Sequence, residues 1–136
     1  MNIRVEAVSF EYPSGVQALQ EVSLQIHSGE MVAMMGENGA GKTTLVKQFN
    51  GLLYPTRGAV RVGDWTTSDH TTAELAQRVG FAFQNPDMQI FERTVWREIT
   101  FGPRNLGLQT NEIEDAARAA LSAVGLEGTE DRHPFD

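Results

Sequence analysis

The chain has 136 residues, no cysteine and a formal net charge of −7. That is the length of one domain or part of one, and enough to bury a core. Without cysteine, disulfides, zinc thiolates and thiol catalysis are excluded, and the acidic balance argues against a general nucleic-acid binder, whose phosphate contacts need a basic face.

In chain order, residues 2–10 alternate Ile3, Val5 and Ala7 with polar neighbours. That period of two predicts a half-buried strand in an antiparallel layer. Tyr12, Pro13, Ser14 and Gly15 form a turn, and residues 19–26 alternate again as a second strand. His27, Ser28, Gly29 and Glu30 then turn the chain into the apolar run 31–35, which is expected to be a buried strand of a parallel sheet. Directly behind it, Gly36, Glu37, Asn38, Gly39, Ala40, Gly41, Lys42 and Thr43 fit G-x-x-x-x-G-K-[ST], the phosphate-binding loop. Its glycines let the backbone curl so that N–H groups approach an anion. Lys42 places an ammonium on the β- and γ-phosphates, and the Thr43 hydroxyl can complete the shell of a Mg²⁺ that keeps most of its waters. Thr44 closes the cradle of Gly36, Asn38, Gly39, Ala40, Gly41, Lys42 and Thr43, while the side chains of Glu37 and Asn38 face solvent. Residues 42–50 read as a helix with Leu45, Val46 and Phe49 on one side, its N-terminus aimed at the phosphates. A Gly-rich turn can match by chance, but here a strand precedes the loop and a helix follows it, the context the motif requires.

Residues 53–58 are another turn, and 59–62 a short strand expected to rejoin the antiparallel layer. Residues 65–70 read as polar loop. Thr71 and Glu74 make a capping box for a short helix through Arg78. Residues 79–83 are expected to be a second buried strand ending at Gln84, broken by Asn85, Pro86 and Asp87. A helix is expected over 94–101, stopped by Gly102 and Pro103. Asn111 and Glu114 cap a last helix whose Ile113, Ala116, Ala117, Ala120, Leu121 and Val124 follow helical spacing, with Gly125 as the stop. His27, His70 and His133 lack metal-ligand spacing and read as surface residues, and Trp65 and Trp96 as packing residues.

With these residues placed, the chain resembles the ATP-binding subunit of ABC transporters along its whole length. Tyr12 lies where that family stacks an aromatic on adenine, and Gln84 falls at the family's Q-loop, whose glutamine reaches the metal and the attacking water. The runs 84–91, 94–95 and 101–108 look like the energy-coupling-factor and cobalt/nickel importer branch. The resemblance implies an α/β P-loop NTPase fold of ABC type, with an antiparallel β flank and the start of a helical subdomain, truncated before the signature motif. Residues 1–30 and 58–63 would form the flank, 31–57 and 71–84 the P-loop core, and 85–136 the beginning of the helical subdomain. Strands from the later half of such a domain would lie between 31–35 and 79–83. The resemblance therefore leads us to expect two buried strands without their usual neighbours, which either shift together or take a strand from another chain.

The implied activity is ATP hydrolysis coupled to uptake of a micronutrient such as a metal ion or vitamin, with residues 1–136 alone inactive. ATP and Mg²⁺ would be the cofactors. Lys42 and Gln84 would serve catalysis, and Thr43 and Gln84 the metal. Tyr12, Gly36, Asn38, Gly39, Ala40, Gly41, Lys42, Thr43 and Thr44 would bind the nucleotide. Expected partners are a second ATP-binding subunit, identical or not, and a transmembrane coupling subunit that meets Met88, Ile90 and Phe91; no nucleic acid is expected. No apolar run approaches the roughly 18 residues of a membrane span and no signal-peptide pattern opens the chain, so a peripheral place on the cytoplasmic face of the membrane is expected. Two rival readings remain: a soluble ABC ATPase outside transport, and a nucleotide-binding fragment without activity.

Overall fold

A computed structural model describes residues 1–136, the side chain of Pro86 excepted, as two units, Met1–Phe81 and Ala82–Asp136. In the first, Ile3–Glu11 (β1), Gln17–Ile26 (β2), Arg57–Val62 (β3) and Trp65–Thr66 (β4) form an antiparallel sheet of order β2-β1-β3-β4. The expected alternation holds through Val5 and breaks at Ala7, which is exposed; a bulge there shifts the pattern so that Val5, Val8 and Phe10 meet Leu19, Val60, Leu45 and Phe49 in a single buried cluster. The β1–β2 register shifts between Val5 and Val8, and Ala7 and Glu21 adopt φ of 46° and 45°. Two serines satisfy the amides displaced there: Ala7 N–H donates to Ser23 Oγ at 2.9 Å and Glu21 N–H to Ser9 Oγ at 3.0 Å. Such bulges bend a strand locally while leaving its polar groups partnered.

The run 31–35 departs from expectation. It carries no strand, and Met31 is 100% and Met35 88% exposed, with only Met34 packed against the core. Residues 79–83 form no strand either. A strand needs a lateral partner for its N–H and C=O groups, and no described strand pairs with either segment. The first expected rescue, the two segments closing together as strands, is not realised among the described residues.

The helix behind the loop is also shorter than the pattern suggested. Lys42–Val46 (α1) is α-helical, and then Gln48 N–H bonds Leu45 O and Phe49 N–H bonds Val46 O, the tighter i→i+3 spacing. Gln48 is fully buried, and both of its amide atoms, like Thr67 Oγ1, lack a hydrogen-bond partner among the described residues. Thr72–Leu75 (α2) starts at the expected capping box, with Glu74 accepting from Thr71 N–H at 2.8 Å and Thr71 accepting from Glu74 N–H. The expected polar loop 65–70 instead holds β4 and a stack. Trp65 lies under Arg78 at 3.7 Å and against His70 at 4.0 Å, and Arg78 pairs with Asp64.

In the second unit, Val95–Asn105 (α3) runs through Gly102 and Pro103 rather than stopping there. Pro103 removes one N–H from the ladder, but it lies in the last turn, and Leu106 N–H still reaches Gly102 O. At the other end, Val95 and Trp96 donate to the carbonyls of Arg132 and Glu130, so the tail satisfies the first free amides of α3. The cap of Thr110–Val124 (α4) is Gln109, two residues before the expected Asn111, with Gln109 N–H donating to Glu112 Oε2 at 2.9 Å, and the helix ends as expected at Gly125. Ile113, Ala117 and Leu121 form its buried stripe, while Val124 is exposed.

Candidate functional site: the phosphate loop

The loop owes its shape to glycine where the backbone turns left-handed. Gly41 has φ 83° and ends the loop against β2; a Cβ added there would lie 2.5 Å from the Ala18 carbonyl oxygen and 2.9 Å from Leu19. Gly39 is also left-handed, at φ 86°, but faces open space. The loop therefore leans on the antiparallel sheet at one point, Gly41, and is otherwise open, with residues 36–40 exposed.

Lys42 folds back over this loop. Its Nζ donates to the carbonyls of Gly36 and Glu37, both at 2.7 Å. The ammonium is thus held at the loop mouth by two weak acceptors that an anion can replace. Thr43 is exposed, while Thr44 is buried. Tyr12, on the turn that follows β1, reaches the loop from across the sheet: its hydroxyl lies 2.9 Å from Thr44 Oγ1. The ring also packs edge-on against buried Phe10, with centroids 4.9 Å apart. The structure thus brings Tyr12 together with Thr44, and Lys42 together with Gly36.

Gln84 is exposed and belongs to the second unit. Beside it, Phe83 N–H donates to the Gln89 side chain at 3.3 Å. Met88 is 76% and Phe91 61% exposed, with Phe91 edge-on to Phe101 at 4.7 Å. Glu98 accepts from Phe91 and Glu92 N–H, pinning the segment ahead of α3. No group of three His, Asp or Glu side chains is arranged to hold a metal among the described residues. The loop contributes the Thr43 hydroxyl as an oxygen donor, which suits a hydrated Mg²⁺ shared with phosphate oxygens rather than an all-protein cage.

The ABC transporter family matches residues 19–135. This chain belongs to that family. It is 49% identical over 98% of its length to a putative ABC transporter ATP-binding protein of Pyrococcus furiosus, and covers 51% of that protein. It is 43% identical over 97% of its length to the energy-coupling factor transporter ATP-binding protein EcfA of Methanocaldococcus jannaschii, covering 48% of it. Among solved structures, CbiO1 of Clostridium perfringens, part of the ABC transporter complex CbiONQ, superposes with a TM-score of 0.81 at 33% identity, over 96% of this chain and 53% of CbiO1. The chain spans about half the length of these relatives.

Sequence reasoning placed Tyr12 and Thr44 in the site but missed the bond between them. Nothing in either residue's neighbours along the chain signals it, because the two are separated by 32 positions.

Proposed function

We propose that this chain supplies the phosphate loop of an energy-coupling-factor type importer, in which ATP hydrolysis drives uptake of a micronutrient such as a metal ion or vitamin. The observation that carries the reading is the loop itself: left-handed glycines, an exposed stretch 36–40 and the Lys42 ammonium held over the mouth by two carbonyls. The names of EcfA and of the CbiONQ complex support the importer branch.

In this reading the loop amides and Lys42 bind the β- and γ-phosphates of ATP, and Lys42 leaves the Gly36 and Glu37 carbonyls to do so. The Thr43 hydroxyl would hold Mg²⁺, which when bound would supply charge neutralisation at the phosphates. Gln84 orients the attacking water and senses the γ-phosphate, and Tyr12 stacks the base. Residues 1–136 alone bind nucleotide without turnover, because the loop supplies a cation and a hydroxyl but no general base. A second ATP-binding subunit and a transmembrane coupling subunit complete the assembly. The exposed Met88 and Phe91 beside Gln84 suit the coupling contact. No helix is long and apolar enough to cross a membrane among the described residues; the subunit sits peripherally on the cytoplasmic face in this reading. The net charge of −7 argues against a general nucleic-acid binder.

Calorimetric titration of ATP into the wild-type chain and Lys42→Ala tests this. The wild type binds, and the variant loses about tenfold or more in affinity, as expected for one charge-assisted contact. Equal affinities would remove the phosphate loop from the argument.

A further inference from the structure

An asparagine loses its amide most readily when the next residue leaves its backbone nitrogen bare and the side chain is free to reach it. Only Asn38 and Asn50 precede a glycine; Asn85 precedes a proline, which has no N–H, and the others precede side chains that crowd the nitrogen. The fold treats the two Asn–Gly pairs oppositely. Asn50 is 5% exposed, and its Oδ1 accepts from Leu52 N–H at 3.2 Å. Gly51 is buried as well: its carbonyl accepts from the Thr72 hydroxyl at 2.7 Å, and a Cβ on it would lie 2.7 Å from Leu75. Asn38 and Gly39 are both exposed, as the middle residues of a turn that Ala40 N–H closes on Glu37 O at 3.2 Å. A Cβ on Gly39 would meet nothing within 4 Å. Lys42 Nζ donates to the same Glu37 carbonyl at 2.7 Å, so a cation sits on the turn in which ring closure builds negative charge.

We propose that Asn38–Gly39 is a site of spontaneous covalent modification, and that its isoaspartyl product disables the phosphate loop. The Gly39 nitrogen attacks Asn38 Cγ and gives up its proton to solvent. The new C–N bond closes a succinimide ring, and the side-chain nitrogen leaves as ammonia. Water then opens the ring at one of its two carbonyls. Attack at Cγ gives an aspartate on a normal backbone. Attack at the main-chain carbonyl gives an isoaspartate, whose chain runs through Cβ and Cγ and gains one methylene. The aspartate carries its charge on a side chain in solvent, where salt screens it. The isoaspartate instead lengthens a loop whose far end is fixed against β2 at Gly41, so the amides between them shift. The modification site stands on sequence and exposure alone; its effect on phosphate rests on the nucleotide reading above.

The full chain is held in mildly alkaline buffer and followed by peptide mass spectrometry, with electron-transfer fragmentation to tell isoaspartate from aspartate. Asn38 converts about tenfold or more faster than Asn50 in the same molecules, because Asn50 reacts only when its surroundings open. In urea, which removes that protection, the two rates converge. Gly39→Ala crowds the attacking nitrogen and slows conversion at Asn38. An Asn38 that stays intact while the urea-unfolded chain converts there overturns the inference, as do equal rates at Asn38 and Asn50 in the folded chain. The consequence is read with inorganic tripolyphosphate. Deamidated chain, separated by anion exchange, loses binding sites in proportion to its isoaspartate content, the isoaspartyl form being weaker by about tenfold or more. Asn38→Asp, which supplies the aspartyl product alone, changes affinity by less than about fivefold. Full binding by the deamidated chain, or an Asn38→Asp as weak as the isoaspartyl form, overturns the role given to the lengthened backbone. An unmodified chain that binds no tripolyphosphate overturns the nucleotide reading and the consequence drawn from it, whereas the modification site still stands or falls on the two rates.

Discussion

Two stretches of the first unit contain similar apolar side chains and meet opposite fates. Val5 and Val8 of β1 are 2% and 0% exposed, whereas Met31, in the most continuous apolar run of the chain, is 100% exposed. The difference is not hydrophobicity. β1 has a partner on each side, β2 and β3, so its backbone polar groups are satisfied and its apolar face can close over Leu45 and Phe49. The run 31–35 has no strand beside it among the described residues, and all its side chains but Met34 remain in water. Burial follows lateral pairing, because an unpaired strand can enter a core only at the expense of unmade hydrogen bonds.

The largest test of that contrast is a charge in each stretch. Val60 faces Val5 across the β1–β3 ladder and is fully buried. Val60→Asp places a carboxylate among Val5, Val8 and Phe49 without a partner, which destabilises by about 4 kcal/mol or more. Thermal unfolding should show the cooperative transition lost. A variant that unfolds like the wild type would mean that the sheet is not the stable element of this unit.

The next effect lies where the phosphate loop leans on the sheet. Gly41→Ala keeps a left-handed residue at φ 83° and drives its methyl to 2.5 Å from the Ala18 carbonyl oxygen. Strain of this kind amounts to roughly 1–3 kcal/mol, and more if the loop must shift. Denaturant unfolding should register that loss, and ATP titration should register weaker binding, because the loop can relieve the clash only by moving off β2. Gly39→Ala, in open space, shares the backbone strain without the collision and should lose less. Equal losses would uncouple the loop from the sheet.

These outcomes also separate what the sequence could tell from what it could not. The strand in residues 2–10 and the turn at Tyr12 are local signals, and the structure follows them, although a bulge breaks the period of two at Ala7. So does the capping box of Thr71 and Glu74, whose partners lie three residues apart. The phosphate loop is legible because its glycines, lysine and threonine must be consecutive to work. The exposure of 31–35 was not legible, since an apolar run reports a preference for a core without saying whether a neighbouring strand exists. Nor was the continuation of α3 past Pro103, where the tail carbonyls of Glu130 and Arg132 anchor the opposite end of the helix. The Arg78–Trp65–His70 stack and the Tyr12–Thr44 bond depend on chain reversals that no local pattern encodes.

A smaller effect, seen only against pH, probes the edge of the well-packed region. Backbone and hydroxyl hydrogen bonds from Thr71 hold the Glu74 carboxyl below its ordinary value of 4.5, and His70 adds to the shift. The folded state therefore keeps this carboxylate ionised where the unfolded chain takes up a proton. The resulting stabilisation is present above pH 4.5 and is lost as pH falls through the lower folded value. Glu74→Gln should narrow its stability gap to the wild type across that acid range. A gap that stays constant with pH would show that the box does not depend on charge. Asp64, lowered by its bond to Arg78, titrates in the same direction but is common to both proteins, so it cancels in the difference.

The smallest expected change in stability is the one that states the contrast most directly. Met31→Lys replaces a fully exposed side chain that touches no core residue, so the unfolding free energy should move by no more than about 0.5 kcal/mol. Its effect should appear in association instead. An apolar extended segment with free backbone groups invites pairing with another chain, and a lysine on such an edge opposes it through charge and solvation. Sedimentation should show the wild-type chain self-associating with concentration and the variant remaining monomeric. Hydrogen exchange on the variant then reads the segment without interference from association. Amides of 31–35 should exchange near the rate of an unstructured chain, while those of Val5 and Val60 are protected to the level of global unfolding. Strong protection of 31–35 in a verified monomer would mean that the segment has found a partner within the chain, and the argument that pairing decides burial would lose its clearest case.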